Sequence, residues 1–281
     1  LGNKFLSHIR EVDSVVHVVR CFDDPNVVHV DGNVDPIRDI EIINLELIFA
    51  DLESLDKRLE RVKRLAKLES KESFEEVSVL EKVKEALEQN KPVRSLELAP
   101  EEQEIIKQLF LLSSKPVIYV ANISEEDLMS GDENEYVKKV KEYAAKEEAE
   151  VITIAAKLEA ELAELAEEEK QEMLAAYGLK EPGLNKLIKS CYKLLGLITF
   201  FTLESKDIRA WTVKKGTKAP QAAGKIHSDF ERGFIRAEVM AYDDLVALGS
   251  QQAVREKGLL RLEGKEYVVK DGDVILFRFN V

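Results

Sequence analysis

An amide and a carboxylate side chain stand three residues apart after an apolar segment, at Asn122 and Glu125. The preceding residues 117–121 are typical of a buried β-strand, and open α/β sheets bind ligands where such strands end. We therefore expect residues 122–125 to hydrogen-bond a ligand. Spacing alone leaves a second interpretation open, in which Asn122 only caps the turn that follows.

A second group of candidate residues is basic and surrounds a loop with Gly216 and Pro220, near Trp211 and His227 in sequence. Its members are Lys214, Lys215, Lys218 and Lys225. Clustered ammonium groups can contact the phosphates of RNA. The alternative is a solvated basic turn, and the sequence does not distinguish the two.

The chain contains no phosphate-binding loop of the Walker A type. Such a loop needs a Gly-Lys pair followed by Ser or Thr, because backbone amides and the lysine surround the phosphates while the hydroxyl binds magnesium. The Gly-Lys pairs of this chain begin at Gly224 and Gly264 and are followed by isoleucine and glutamate. We therefore expect that the chain as given does not hydrolyse a nucleotide at a useful rate.

The two cysteines, Cys21 and Cys191, are far apart and lie in apolar surroundings, without a Cys-x-x-Cys or Cys/His cluster. This pattern predicts two buried, reduced thiols and no structural zinc site. His17 lies inside an apolar segment, which favours a core histidine over a catalytic one.

The charge of the 281-residue chain is −13, which argues against broad nucleic-acid binding by its whole surface. Residues 198–281 carry a net charge of +2 and the remainder −15, so we expect two modules with different partners. The apolar run at 194–201 is too short to span a bilayer. The first residues have no initiator Met and no signal pattern, which we interpret as an internal start.

Short apolar segments alternate with helical ones in much of the chain. Residues 15–22, 117–122 and 151–154 predict strands buried on both faces, as in a parallel sheet. The predicted helices are at 3–11, 136–147, 159–177 and 184–195. This alternation indicates an α/β fold.

Two long amphipathic segments, 39–65 and 74–88, interrupt that alternation. Their aliphatic residues recur every three or four positions among Glu, Lys and Arg, which predicts an antiparallel helical hairpin with coiled-coil character. A polar turn joins them, and a third helix is predicted at 100–111.

The last part of the chain predicts short strands with two short helices between them, a β-grasp-like module. The strands are predicted at 200–202, 208–213, 234–239, 267–269 and 274–279, with turns at 215–216, 264–265 and 271–273.

Several unusual segments occur in the order found in the Obg-like ATPase (YchF-type) family, and the chain resembles that family over its whole length. They are LGNKFL at 1–6, HVVRCF at 17–22, VDP at 34–36, DIE at 39–41, RAWT at 209–212, GTKAPQAAGKIH at 216–227 and DFERGFI at 229–235. The last three are the most specific and resemble the TGS domain of the family.

The resemblance implies a P-loop nucleotidase domain with a parallel sheet, split into residues 1–52 and 113–197 by a coiled-coil insertion at 53–112. A TGS domain would follow at 198–281. It also implies that the phosphate-binding loop and the switch II aspartate lie upstream of Leu1, together with the ligands of Mg²⁺.

Residues 122–125 resemble the Asn-x-x-Glu motif of the family, which replaces the Asn-Lys-x-Asp motif of GTPases. The resemblance implies a preference for ATP over GTP, with Asn122 bracing the neighbouring loops and the Ile123 backbone meeting the adenine edge beside Glu125. A second base-contacting loop is implied at Ala155, Ala156 and Lys157, where an ordinary strand-to-helix turn is the alternative.

The family carries an apolar residue in place of the glutamine that positions water in related GTPases. The resemblance implies that His29 orients or deprotonates the attacking water instead. The alternative is a loop histidine with a local hydrogen bond.

The implied function is that of a slow ATP-hydrolysing switch, cytoplasmic and monomeric, without a membrane. Its expected partners are ATP and either the ribosome, where the large subunit is one candidate, or RNA. Its expected cofactor is magnesium. The competing interpretation is a module without enzymatic activity that recruits a ribosomal, RNA or protein partner.

Overall fold

The computed structural model describes residues 2–30, 32–66, 71–130, 134–204 and 207–280. The chain forms two compact units, Leu1–Cys191 and Tyr192–Val281. The polar turn predicted between the two long helices falls at residues 67–70 and lies outside the described residues.

The first unit contains a parallel sheet in the order β1-β2-β3. The strands are β1 (Val15–Arg20), β2 (Val117–Asn122) and β3 (Glu150–Ile154), with Val15 opposite Val117 and Ile118 opposite Glu150. The parallel α/β arrangement expected from the alternating pattern is confirmed. All three strands therefore end at the same edge of the sheet.

Helices cover the sheet unevenly. The helices outside the hairpin are α1 (Asn3–Glu11), α5 (Glu125–Ser130), α6 (Glu135–Ala145), α7 (Ala156–Glu164), α8 (Glu167–Ala176) and α9 (Gly183–Leu194). One sheet face packs Tyr119 and Val19 against residues of α6 and α7. The other face packs Ile118 and Ile152 against α9.

The prediction that the first strand is buried on both faces is wrong. Val16 and Val18 of β1 are 38% and 59% exposed. The reason is that α9 packs over β2 and β3 and does not reach this edge strand.

The hairpin consists of α2 (Pro36–Ala66) and α3 (Lys71–Glu88), followed by a short 3₁₀ helix (Val93–Ser95) and by α4 (Pro100–Lys107). Its core contains Leu55, Leu80 and Leu87, each 1% exposed or less. Such burial contributes about 2 kcal/mol per side chain, which drives the pairing of two highly charged helices.

A buried carboxylate joins the hairpin to the segment that returns to the sheet. Asp51 of α2 is 0% exposed and accepts hydrogen bonds of 2.7 Å from Leu112 N–H, Ser113 N–H and Ser113 Oγ. Burial raises the pKa of Asp51, while these donors act in the opposite direction.

A second polar network joins the hairpin to β2. Arg94 Nε donates to Glu147 at 3.0 Å, its Nη2 donates to Asn44 at 2.9 Å, and Tyr119 Oη donates to the same Glu147 at 3.0 Å. His17 lies over the Tyr119 ring at 5.6 Å, and burial together with the nearby Arg94 lowers its pKa to about 4.

The second unit is a mixed sheet in the order β5-β4-β8-β6-β7, in which β4 and β8 are parallel. Its strands are β4 (Leu197–Glu204), β5 (Asp207–Lys214), β6 (Phe234–Ala241), β7 (Arg261–Glu263) and β8 (Asp273–Phe279). Its helices are α10 (Ala219–Gly224), α11 (Ser228–Arg232), α12 (Tyr242–Leu248) and α13 (Gln251–Glu256). Phe200 and the alanines of α10 form the centre of one core.

Several predicted elements differ from the structure. Residues 159–177 form two helices, because Ala166 is extended and begins α8 with its N–H bonded to Glu169. The strand predicted at 267–269 is only an isolated bridge between Lys218 and Val268. The helix predicted at 100–111 ends at Lys107, before Phe110 adopts a positive φ of 51°.

Other differences concern number and burial. The second unit has four described short helices where two were predicted, and β7 and α5 were not predicted. Cys21 is buried as predicted, whereas Cys191 is only half-buried. None of the helices that the structure describes is long and apolar enough to cross a membrane.

Candidate functional site

A cleft of about 590 Å³ lies where the three parallel strands end. It is lined by residues 22–25 and 27 after β1, residues 122–126 after β2, and Lys157 after β3. The structure thus brings Asn122, Ile123, Glu125 and Lys157 to one place. Ligands of open α/β sheets bind at this edge.

Asn122 connects two of the loops that border the cleft. Its Oδ1 accepts a hydrogen bond of 2.9 Å from Ala156 N–H, at the start of α7. The turn that follows β2 is capped by Ser124 instead, whose Oγ accepts from Asp127 N–H at 3.1 Å. The hydrogen bond to Asn122 therefore fixes the loop after β3 and not the turn that follows Asn122 itself.

Ile123 lies between these side chains, and its own side chain is 7% exposed. Its N–H donates to the carbonyl oxygen of Ile154 at 2.9 Å. The carbonyl oxygen of Ile123 is therefore the backbone group that remains for a ligand at this residue. The neighbouring Ala155 is buried at 2% exposure, whereas Ala156 is exposed.

Glu125 begins α5 and presents an unusual carboxylate. Its Oε2 lies 3.5 Å from Lys157 Nζ, but Lys157 is 76% exposed, so this pair contributes little. Its Oε1 is buried and has no hydrogen-bond partner within the described residues. A buried carboxylate oxygen without a donor is costly, which indicates that a ligand or water supplies one.

The loop after β1 forms the opposite wall and is held by Arg20 at the end of that strand. The guanidinium donates from Nε to Phe22 O at 3.0 Å and from Nη1 to Val27 O at 2.9 Å. It also lies 4.8 Å from the centre of the Phe22 ring. This role of Arg20 was not predicted, although a lone arginine at the end of an apolar strand is a recognisable signal.

Asn134 ties the loop after β1 to the segment after α5. Its Nδ2 donates to Cys21 O at 2.8 Å and to Asp127 Oδ2 at 3.0 Å, while its Oδ1 caps α6. Tyr136 adds a hydrogen bond of 2.9 Å to Asp23, which raises the pKa of the phenol. These residues were also missed, and only the N-cap position of Asn134 marks them in sequence.

His29 is not among the described residues that line the cleft. Its Nε2 lies 2.9 Å from Asp39 Oδ2, at the beginning of α2, and its Nδ1 lies 3.5 Å from Arg38 Nη2. The imidazole is therefore oriented by a carboxylate, which fixes the direction of its ring.

The four lysines of the basic loop, Lys214, Lys215, Lys218 and Lys225, do not form one cluster of free charges. Lys214 Nζ donates to Leu195 O at 2.9 Å, and Lys218 pairs with Glu266 at 2.5 Å. Lys215 and Lys225 are exposed.

No group of three or more His, Cys, Asp or Glu side chains able to hold a metal occurs among the residues described here.

A parallel sheet with a polar cleft at the carboxyl ends of its strands defines an open α/β protein with a candidate ligand site at that edge. Residues 197–280 match the family model YchF-GTPase_C, described as a protein of unknown function. The chain is also similar to the ribosome-binding ATPase YchF of Bacillus subtilis (strain 168), with 59% identity over 281 residues, all of this chain and 77% of that protein.

The chain is 49% identical to the ribosome-binding ATPase YchF of Haemophilus influenzae, over all of this chain and 77% of that protein. The solved structure of the Schizosaccharomyces pombe YchF GTPase matches with a TM-score of 0.88 and 40% identity, over 99% of this chain and 75% of that one. The chain belongs to the YchF family. The resemblance inferred from its sequence motifs is thereby confirmed.

Proposed function

We propose that this chain supplies the base-binding side of a ribosome-associated ATPase. The observation that carries the proposal is the unpartnered Oε1 of Glu125 in a cleft whose loops are fixed by Asn122. The names of the relatives support association with the ribosome, but they disagree on the nucleotide, since two are called ATPases and one a GTPase.

The proposed preference for ATP requires that the buried oxygen of Glu125 face the C6 position of the purine, because a carboxylate placed elsewhere could also accept from N1–H and the 2-amino group of guanine. Adenine carries an amino group at C6, which can donate to the buried carboxylate oxygen of Glu125. Guanine carries a carbonyl oxygen at that position, and two acceptors repel each other. A hydrogen bond to a charged group is worth about 1.5–3 kcal/mol, or roughly tenfold or more in affinity.

The experiment is a titration of the chain and of Glu125→Gln with fluorescent ATP and GTP. The neutral amide keeps an acceptor but adds a donor, so the ratio of the two affinities should fall by roughly tenfold. Glu126→Gln, a neighbour in the same cleft and the same helix, is the matched control and should keep the ratio. Equal affinity of the unaltered chain for ATP and GTP would overturn the preference.

Absence of any nucleotide binding would favour the competing interpretation, an interaction module without enzymatic activity. Such a module would bind its ribosomal or protein partner with the same affinity whether or not ATP is present.

Hydrolysis is proposed to be slow and to require a phosphate-binding loop joined to this chain, with Mg²⁺ entering with the triphosphate. His29, held by Asp39, is proposed to orient the attacking water. In a protein that carries both parts, unchanged ATP turnover of a His29→Ala variant would rule this role out.

The proposed partners are ATP and the ribosome or its RNA, and the proposed state is a cytoplasmic monomer. The exposed Lys215 and Lys225 are the members of the basic loop best placed for phosphate contacts, and Lys214 and Lys218 would first have to leave their present partners. Sedimentation with purified ribosomal subunits measures this association directly.

A further inference from the structure

Three arginines of the second unit meet around one buried carboxylate. Glu238 of β6 is 8% exposed, and Arg278 of β8 binds it with Nε 2.9 Å from Oε1 and Nη2 3.4 Å from Oε2. Arg236 of β6 and Arg255 of α13 each place an Nη2 atom 3.7 Å from the same carboxylate. Two strands and a helix thus position one cluster.

The cluster is electropositive and open to solvent. Three guanidinium groups face a single carboxylate, so the positive charge exceeds the negative charge by two. The side chains of Arg236, Arg255 and Arg278 are 52%, 67% and 49% exposed, whereas the carboxylate is covered. The bond to Arg278 holds the pKa of Glu238 below its usual value, with smaller effects of the other two arginines.

The register of the sheet makes this arrangement unfavourable by itself. Arg236 and Arg278 are direct partners on β6 and β8. Like charges placed opposite each other destabilise a sheet, and Glu238 offsets only part of this repulsion. An anionic ligand that neutralises the remaining charge would remove that cost.

The cluster lies on the sheet face opposite the Phe200 core. Val239 and Phe277 point into that core, so Glu238 and Arg278, one position along each strand, point to the other face. Leu262, the β7 partner of Glu238, is 63% exposed, which shows that this part of the face is open.

We propose that Arg236, Arg255 and Arg278 form a binding site for the phosphate backbone of RNA. Met240 and Val274, further along the same face, are buried against residues of α12 and α13, whereas the part around Leu262 is open. Such an open surface suits a polymer that lies across it better than a small anion that needs enclosure. The chain as a whole carries a charge of −13 and repels a polyanion, so contact with RNA needs a local positive site of this kind. The inference rests on the proposed ribosome association and names the surface that would make it.

The test variant is Arg236→Gln combined with Arg255→Gln. These two arginines are peripheral and exposed, so the double variant keeps the close Arg278–Glu238 pair and the fold. The matched control is Arg209→Gln with Arg232→Gln, which removes the same charge. Arg209 lies on the same face of β5 as Trp211, and Arg232 lies on the same helix, α11, as Phe230. Trp211 and Phe230 pack against the Phe200 core, so the control arginines lie on the side of the sheet away from the cluster.

Binding of a fluorescent single-stranded RNA oligonucleotide is measured over a series of salt concentrations. The test variant should lose roughly tenfold or more in affinity at low salt. The slope of log affinity against log salt concentration should become shallower by the amount expected for about two lost phosphate contacts. The control should keep the affinity of the unaltered chain. Equal affinities of the test variant and the unaltered chain, or equal losses in both variants, would overturn the site.

Two further measurements distinguish RNA from a small anion as the ligand, and failure of the arginine site from failure of the proposed ribosome association. Pyrophosphate that displaces RNA at equal phosphate concentration would show a small-anion site and overturn the RNA assignment. Ribosome sedimentation unchanged in the test variant would overturn the inference and leave the proposed function standing. RNA binding lost in the test variant, without ribosome sedimentation of the unaltered chain, would support the site and overturn the ribosome association.

Discussion

At the scale of single residues, the structure explains why an amide and a carboxylate follow the same strand. Asn122 Oδ1 accepts a hydrogen bond from the loop after β3, whereas Glu125 has one oxygen without a partner among the described residues. One side chain therefore shapes the cleft, and the other is available for a ligand. The sequence pattern predicted that both residues lie at the end of the strand. It could not predict which one binds the protein and which one is available for a ligand, since this depends on a contact between separate elements.

The roles of Asn134 and Arg20 were not predicted, because their contacts form only after the strands have assembled. Asn134 reaches Cys21, and Arg20 holds the loop after its own strand through backbone carbonyls. The sequence marks only an N-cap position at Asn134 and a lone arginine at the end of an apolar strand, and neither feature identifies these partners.

His17 gives a prediction about pH at this scale. Its pKa falls from 6.5 in the unfolded chain to about 4 in the folded one, first because of burial and then because of Arg94, while Asp39 acts in the opposite direction. Between these pH values the unfolded chain binds a proton that the folded chain does not, so stability falls as the pH falls from 6.5 to 4. We expect this residue to account for about 3 kcal/mol of that loss.

The measurement is urea unfolding of the chain and of His17→Phe at several pH values. Phenylalanine keeps a ring over Tyr119 but cannot titrate. The free energy of unfolding of the variant minus that of the unaltered chain should therefore rise as the pH is lowered through this interval. A constant difference across the interval would contradict the assignment.

At the scale of elements, the pattern of apolar residues predicted most helices and strands but not their exact ends. The periodicity of α2 and α3 was sufficient because their core residues repeat over many turns. The break between α7 and α8 has no Gly or Pro to mark it, and it arises where Ala166 takes an extended conformation. The exposure of β1 likewise depends on where α9 packs, which no local pattern encodes.

The attachment of the hairpin gives the prediction at this scale. Asp51→Ala leaves three buried donors of residues 112 and 113 without an acceptor, and we expect it to lower stability by about 3 kcal/mol or more. Asp56→Ala is the matched control on the same helix, since Asp56 is 52% exposed and its ion pair among the described residues is with Lys84. It should cost less than about 1 kcal/mol. Similar urea midpoints for both variants would show that Asp51 does not anchor the hairpin.

At the scale of the whole molecule, the sequence indicated two modules from charge alone. The negative charge lies in the part with the cleft, and the slightly positive part contains the arginine cluster. The cluster itself could not be predicted, because its three arginines come from separate elements. Family membership was recognisable from motif order, and the relatives of known sequence extend beyond the length of this chain.

We propose above all that the base of ATP binds at the carboxyl ends of β1, β2 and β3. The most direct measurement is a titration of the isotope-labelled chain with ATP, followed by NMR. We expect the largest shifts at the backbone amides of residues 122–126 and 155–157 and of the loop at 22–27. Shifts confined to the second unit, with none at these loops, would contradict the account.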